Sequence, residues 1–279
     1  MAQAVQPSRW GLQTLADDAR NNGKIVLADL CLRSGQAMLH DSPDVIPSIS
    51  ELVEGFRSGT PDASAVRATT FEIAARGYDL LLGLRRRRDW GALRPRAVTA
   101  TLQGLLGAYR FVVADVEDDL EGELQGGSVE VEERNVLART ALGAADVVVV
   151  VARSDMAGLH SLLQTLAELD DFGVPADRVL PVCNGAPHTP SGRARLARAF
   201  AELARGTFSH QLATPIFIPH FRRVETAVAD VSRLPAGLGS ALCRAAIALA
   251  ENSRDEASKE PEPLSPGSLG LLSEQVPSQ

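Results

Sequence analysis

The sequence predicts an α/β protein built on a doubly wound, mostly parallel sheet with helices on both faces. Three observations lead there. Short runs rich in Val, Ile and Leu recur without polar alternation, as expected of strands buried on both faces. Segments with helical spacing of apolar residues separate these runs. Strand and helix then alternate along the chain, the pattern of a parallel sheet wound on both sides.

The runs are KIVLAD (24–29), YDLLLGL (78–84), RFVVADV (110–116), DVVVVVA (146–152), RVLPVCN (178–184) and PIFIP (215–219). Between them, Val98, Leu102, Leu105 and Leu106 share one helical face, and Leu159, Leu162, Leu163, Leu166 and Leu169 share another. Leu196, Phe200 and Leu203 follow the same spacing, as do Val224, Ala227, Val228 and Val231. A last helix around Leu238, Leu242, Ala245 and Leu249 closes a single domain over 1–251. From Asn252 the chain turns rich in Ser, Pro and Glu, so 252–279 is expected to be a disordered tail. Its SLGLLSEQV segment is the one place where a partner-binding helix could form.

Composition narrows the function. The 279 residues are 45% hydrophobic, enough for a sizeable core, but only 4% aromatic, which disfavours a stacking surface for single strands. A formal net charge of −7 argues against wide attraction to DNA or an anionic membrane. Cys31, Cys183 and Cys243 form no CxxC pair, which fits a reduced, cytoplasmic protein. The start is polar, without the apolar core of a signal peptide, and ADVVVVVA (145–152) is too short to span a bilayer.

In doubly wound folds ligands sit at the carboxyl ends of the strands. Asp29 and Asp115 both end strands there. Such carboxylates can hold the water shell of a phosphate-bound Mg²⁺, or they can simply cap a helix. Asn184 ends a third strand, where its amide could read a purine edge or serve an Asn-Gly turn. The acidic run 117–133 carries eight carboxylates but has no EF-hand spacing, so a solvated loop is expected. The arginines of LRRRRDW (84–90) are expected in a solvated connection, with an anion contact as the lesser alternative. The histidines show no ligand spacing and the serines no GxSxG context.

Taken in order, several of these segments resemble the MinD/ParA superfamily of deviant-Walker ATPases, in particular its CpaE/TadZ-like branch. VLADLCLRSGQAML is similar to that branch's D-x-D-x-x-x-G-x-x-x-x-L segment, and YRFVVADV to its Walker B strand. ALGAADVVVVVARSDMAGLHSLLQTLAEL, RVLPVCNGAP and TPIFIPHFRRVETAVADVSRLP resemble the strand, base-recognition strand and closing strand that follow. The resemblance runs from about residue 11 to 250. It implies a P-loop NTPase-like fold and an Mg-ATP switch acting in septum, chromosome or pilus and secretion-system positioning. It implies a homodimer or a paralogous ATPase partner, a polar, septal or secretion-system protein as target, and peripheral recruitment from the cytoplasm. By the same resemblance, Asp115 would bind Mg²⁺ through water. Asp29 would sit beside the γ-phosphate and metal and serve the chemistry. Asn184 would contact adenine, with Pro219 packing near the base.

The chain departs from that pattern where the phosphates should be held. The family's K-G-G-x-G-K-[ST]-[ST] loop joins the first strand to the first helix, and its backbone N–H groups cradle the phosphates. Here the equivalent region reads QPSRWGLQTLADDARNNGK, in which Gly11 and Thr14 stand as remnants and TLADDARNNGK as the first helix. The first strand and phosphate loop are therefore expected to be missing. A gap at the sheet's centre would leave backbone groups unpaired, at about 1–3 kcal/mol each when buried. Either the sequence starts too late, through a misplaced start codon or a truncated gene, or the sheet has closed up differently. Cys31 stands where the family usually carries a second aspartate. ATP and Mg²⁺ are thus the expected cofactors if the loop is restored, and none for the chain as it stands. The alternative is a pseudo-ATPase scaffold or binding module.

Overall fold

A computed structural model describes residues 2–5, 24–42, 46–123, 127–208, 212–221, 224–232 and 239–257. The described strands are β1 (Ala2–Val5), β2 (Ile25–Asp29), β3 (Phe71–Ile73), β4 (Tyr78–Leu81), β5 (Phe111–Val116), β6 (Val147–Arg153), β7 (Val179–Ala186) and β8 (Ile216–Pro219). They form one sheet in the order β3-β4-β2-β5-β1-β6-β7-β8. The pairs β2–β4, β2–β5, β6–β7 and β7–β8 are parallel, as the unalternating apolar runs predict. β3 and β4 form an antiparallel hairpin at one edge.

The first strand is not missing. β1 lies at the centre of the sheet, between β5 and β6, and is antiparallel to both. Ala2 pairs with Val116 and Val150, while Val5 pairs with Val113 and Val147. The central gap that the sequence suggested is therefore closed, because the facing groups of β5 and β6 have a partner. The direction of β1 matters. The strand runs away from the carboxyl ends of β5 and β6: Gln3 stands opposite Asp115 and Val5 opposite Val113, whereas a strand feeding a phosphate loop must run toward that edge and end beside it.

The described helices are α1 (Gln36–Leu39), α2 (Ile49–Ser58), α3 (Ala63–Arg67), α4 (Pro95–Ala108), α5 (Val129–Arg134), α6 (Val136–Ala144), α7 (Met156–Phe172), α8 (Pro190–Thr207), α9 (Val224–Ala229) and α10 (Ser240–Ala257). Local chemistry sets their ends. Ser48 and Glu51 form a reciprocal capping box at the start of α2. Asp155 caps α7 by accepting from the Gly158 N–H, and α7 stops at Gly173, whose φ of 91° suits a residue without Cβ. Pro95 and Pro190 occupy first-turn positions of α4 and α8, where no amide donor is needed.

The core has two layers. Val112, Ala114, Val148 and Val150 pack with α4, α6 and α7 on one face of the sheet. Val147, Val149, Leu180 and Val182 pack with Ala246, Leu242 and Leu249 of α10 on the other. Leu159, Leu162, Leu166 and Leu169 of α7 are all buried, each contributing about 1.5–3 kcal/mol by leaving water. Two boundaries differ from the periodicity. α9 ends at Ala229, so Val231, at φ 49°, lies beyond the helix. α10 continues to Ala257, past the composition change at Asn252. Residues 258–279, the remainder of the expected tail, lie outside the described residues.

Candidate functional site

β2 and β5 are parallel neighbours, and Asp29 stands directly opposite Asp115 at their carboxyl ends. Both residues are buried, at 0% and 1% exposure. The two carboxylates inferred from separate sequence segments are thus brought together. Their surroundings differ, and so do the tasks they can perform.

Asp29 organises the loop that leaves β2. Its Oδ1 accepts from the Cys31 N–H at 3.2 Å. Its Oδ2 accepts from the Ser34 hydroxyl at 2.6 Å and from the N–H groups of Gly35 and Gln36 at 3.0 and 2.9 Å. Those amides lie at the start of α1, where backbone donors lack intrahelical partners. Gly83, just after β4, completes the enclosure. A Cβ there would lie 2.6 Å from Ser34 Oγ and 2.8 Å from Asp29 Cγ, so no larger residue fits without displacing the loop.

Asp115 has fewer partners. Its Oδ2 accepts from Gln36 Nε2 at 2.6 Å, and its Oδ1 is buried with no hydrogen-bond partner. Burial pushes its pKa up, the Gln36 hydrogen bond pulls it back, and the charge of Asp29 raises it again. Cys31 is 3% exposed, and its thiol donates to the Asp115 carbonyl at 3.5 Å. Burial, then the charges of Asp115, Asp29 and Glu117, push that thiol far above its ordinary range. It stays protonated and does not replace a carboxylate in activating water. Glu117, from the loop after β5, accepts from the Arg33 N–H at 2.8 Å and ties the two loops together.

Gln36 joins the whole cluster. Its backbone N–H reaches Asp29, its side chain reaches Asp115, and its carbonyl faces His40 Nδ1 at 2.7 Å. A carbonyl only accepts, so Nδ1 carries the proton and Nε2 accepts from the Tyr78 hydroxyl at 2.6 Å. Arg76 Nη1 lies 3.3 Å from both His40 Nε2 and Tyr78 Oη. Its Nη2 donates to the Ala227 carbonyl at 3.2 Å, which connects the cluster to α9.

Asn184 and Pro219 lie at the same carboxyl edge, on β7 and β8, with Asn184 opposite Ile218 and Pro219 opposite Ala186. β7 is three strand positions from β5, a separation of about 14 Å. Asn184 is exposed, and its Oδ1 accepts from the Gly185 N–H at 2.9 Å, with Gly185 at φ 72°. The tight turn suggested by the Asn-Gly pair does not form: both residues lie within β7, where the register against β8 shifts between Asn184 and Ala186 as in a β-bulge, and the Asn184 side chain stays at the surface. Gly11 and Thr14 lie outside the described residues, as does the expected helix TLADDARNNGK up to Gly23. The acidic run is partly helical rather than all loop, because α5 begins at Val129 and Asp119 is held by Arg134 and Asn135. In the basic run, Arg85 pairs with Glu51 and the rest enters a short 3-10 turn at Arg87–Ala92.

A cation beside phosphates would need free carboxylate lone pairs here. Asp29 fits poorly as a ligand, since both of its oxygens already accept from the loop. Asp115 fits through one atom, the unpartnered Oδ1. No group of three His, Cys, Asp or Glu side chains suited to a metal occurs among the described residues, so any ion would rely on water for most of its ligands.

Known structures share this architecture. A ParA family ATPase from Chlorobium tepidum TLS matches with a TM-score of 0.60 at 11% identity, over 87% of this chain and 90% of that one. The fold is that of the ParA and MinD ATPases. A plasmid partition protein from Borrelia burgdorferi B31, bound to AMPPNP, matches with a TM-score of 0.52 at 13% identity, over 90% of this chain and 92% of that one. The septum site-determining protein MinD from Pyrococcus horikoshii OT3, complexed with Mg-ADP, matches with a TM-score of 0.50 at 14% identity, over 93% and 97%. No protein-family model matches the sequence, and no curated protein does. No helix among the described residues is long and apolar enough to cross a membrane.

Within this ParA/MinD-type fold, sequence reasoning located the two aspartates and the asparagine but missed Gln36, Gly83 and the His40–Tyr78–Arg76 chain. Gly83 had a signal: it interrupts the apolar run YDLLLGL at the edge where Asp29 ends its own strand. Gln36 had none, because its role depends on a bond across 79 residues.

Proposed function

We propose that the protein is a positioning protein of the ParA/MinD type, in the CpaE-like branch, whose hold on ATP is weakened. The observation that carries this reading is the register of Asp29 and Asp115 at the carboxyl edge, where doubly wound folds take their ligands. A nucleotide lying across β5, β1, β6 and β7 would place its phosphates near Asp115 and its base near Asn184 and Pro219. Mg²⁺, when bound, would neutralise phosphate charge, and Asp115 is the residue to hold it, through water. Asp29 would set the shape of the adjoining loop.

The weakening follows from β1. A phosphate loop gains its grip by running from a strand's carboxyl end into a helix whose N–H groups face the anion. β1 is antiparallel, and it runs away from the edge where Asp115 ends β5. The same direction favours a second reading, a non-catalytic partner of a true ATPase. The septal, chromosomal or pilus role, the homodimer or paralogous partner and peripheral recruitment from the cytoplasm all belong to this proposal.

Isothermal titration of the protein with ATP and Mg²⁺ tests it. The expected dissociation constant is weaker than about 1 mM, or roughly −4 kcal/mol. A micromolar constant would refute the weakened hold and reject the non-catalytic reading with it.

A further inference from the structure

We propose that the Gln36 side chain is a latch that closes the Asp115 carboxylate against cations, so that cation binding at this edge requires Gln36 to swing away. This rests on the reading that the carboxyl edge is a place for a phosphate-bound cation. It adds a regulatory contact to that edge. Three observations support it. Gln36 Nε2 holds Asp115 Oδ2 at 2.6 Å, a short bond to a carboxylate. Asp115 Oδ1 is buried and has no hydrogen-bond partner, so one oxygen of the carboxylate keeps its lone pairs available to a ligand. The backbone of Gln36 is pinned at both ends, by Asp29 through its N–H and by His40 through its carbonyl. The side chain can therefore leave while α1 stays in place.

The latch costs affinity in a defined way. While Gln36 occupies Oδ2, a cation sees one oxygen of Asp115 instead of two. Apparent affinity falls by the fraction of molecules in which the latch is open. A hydrogen bond to a carboxylate is strong enough for that fraction to be about one in ten to one in a hundred.

The test uses Mn²⁺ alone, with free ion read by electron paramagnetic resonance and binding confirmed by thermal shift. Gln36→Met keeps the length of the side chain without its donor, and Gln36→Asn withdraws the donor by one methylene. Both keep the two backbone bonds. Expected is Mn²⁺ affinity about tenfold to a hundredfold tighter in either folded variant than in the natural chain, with the gain abolished when Asp115→Asn is added. Affinity unchanged or weaker in both single variants overturns the latch, as does a gain that survives Asp115→Asn. Because the probe carries no nucleotide, the latch can fail while ATP titration upholds the functional reading, and the reverse.

Discussion

Replacing Asp29 by alanine separates a loop-organising carboxylate from one that waits for a ligand. The structure sets the magnitude. Four donors converge on Asp29, and the bonds from the Cys31 and Gln36 N–H groups are buried. Leaving those two amides without an acceptor costs about 1–3 kcal/mol each, so Asp29→Ala should lose about 2–6 kcal/mol. Urea unfolding followed by circular dichroism measures this as a lower midpoint at unchanged slope. If Asp29 were only a ligand carboxylate, its removal would relieve repulsion with Asp115 opposite it, and stability in the absence of ligand would hold steady or rise. A loss below about 1 kcal/mol, or a gain, would refute the role given to Asp29 here. Asp29→Asn should fall between, because its amide keeps one accepting oxygen and turns the other position into a donor facing donors.

Other outcomes follow from the same geometry. Burial lowers the pKa of His40 from the ordinary 6.5, the hydrogen bond to the Gln36 carbonyl raises it, Arg76 lowers it and Asp29 raises it, with a net fall. The folded state then binds fewer protons than the unfolded one, so this contribution is present above pH 6.5 and is lost as pH falls through the folded value. Urea midpoints should drop more between pH 7 and pH 5 in the natural chain than in His40→Gln, and equal drops would contradict the neutral tautomer. Two glycines of α4 should respond with opposite signs. Gly104→Ala drives its Cβ into the Phe56 ring and should cost about 1–3 kcal/mol. Gly107→Ala meets nothing within 4 Å and should gain up to about 1 kcal/mol from helix propensity, both read by thermal unfolding.

The parallel strands were legible because burial on both faces leaves a run such as VVVVVA that few other structures explain. β1 was not. Its four residues, AQAV, carry no apolar run, and its place depends on open pairing edges of β5 and β6 far away in sequence. β3 was missed for a similar reason, since FEI is three residues long and depends on the hairpin with β4. At the site, strand-end position announced Asp29 and Asp115, yet their different tasks came from neighbours. Asp29 is saturated by its own loop within seven residues, while Asp115 takes its one side-chain donor from Gln36 on another segment. Local reading recognises a carboxylate at a strand end. It does not show how many of its lone pairs are already in use.

The orientation of β1 decides between a gripping and a weakened nucleotide edge, and isotope-edited nuclear Overhauser contacts measure it directly. The account predicts contacts from Ala2 to Val116 and Val150 and from Val5 to Val113 and Val147, the order of an antiparallel strand. The reverse order, with Val5 near Val116 and Val150, would bring the strand's carboxyl end beside Asp115 and contradict it.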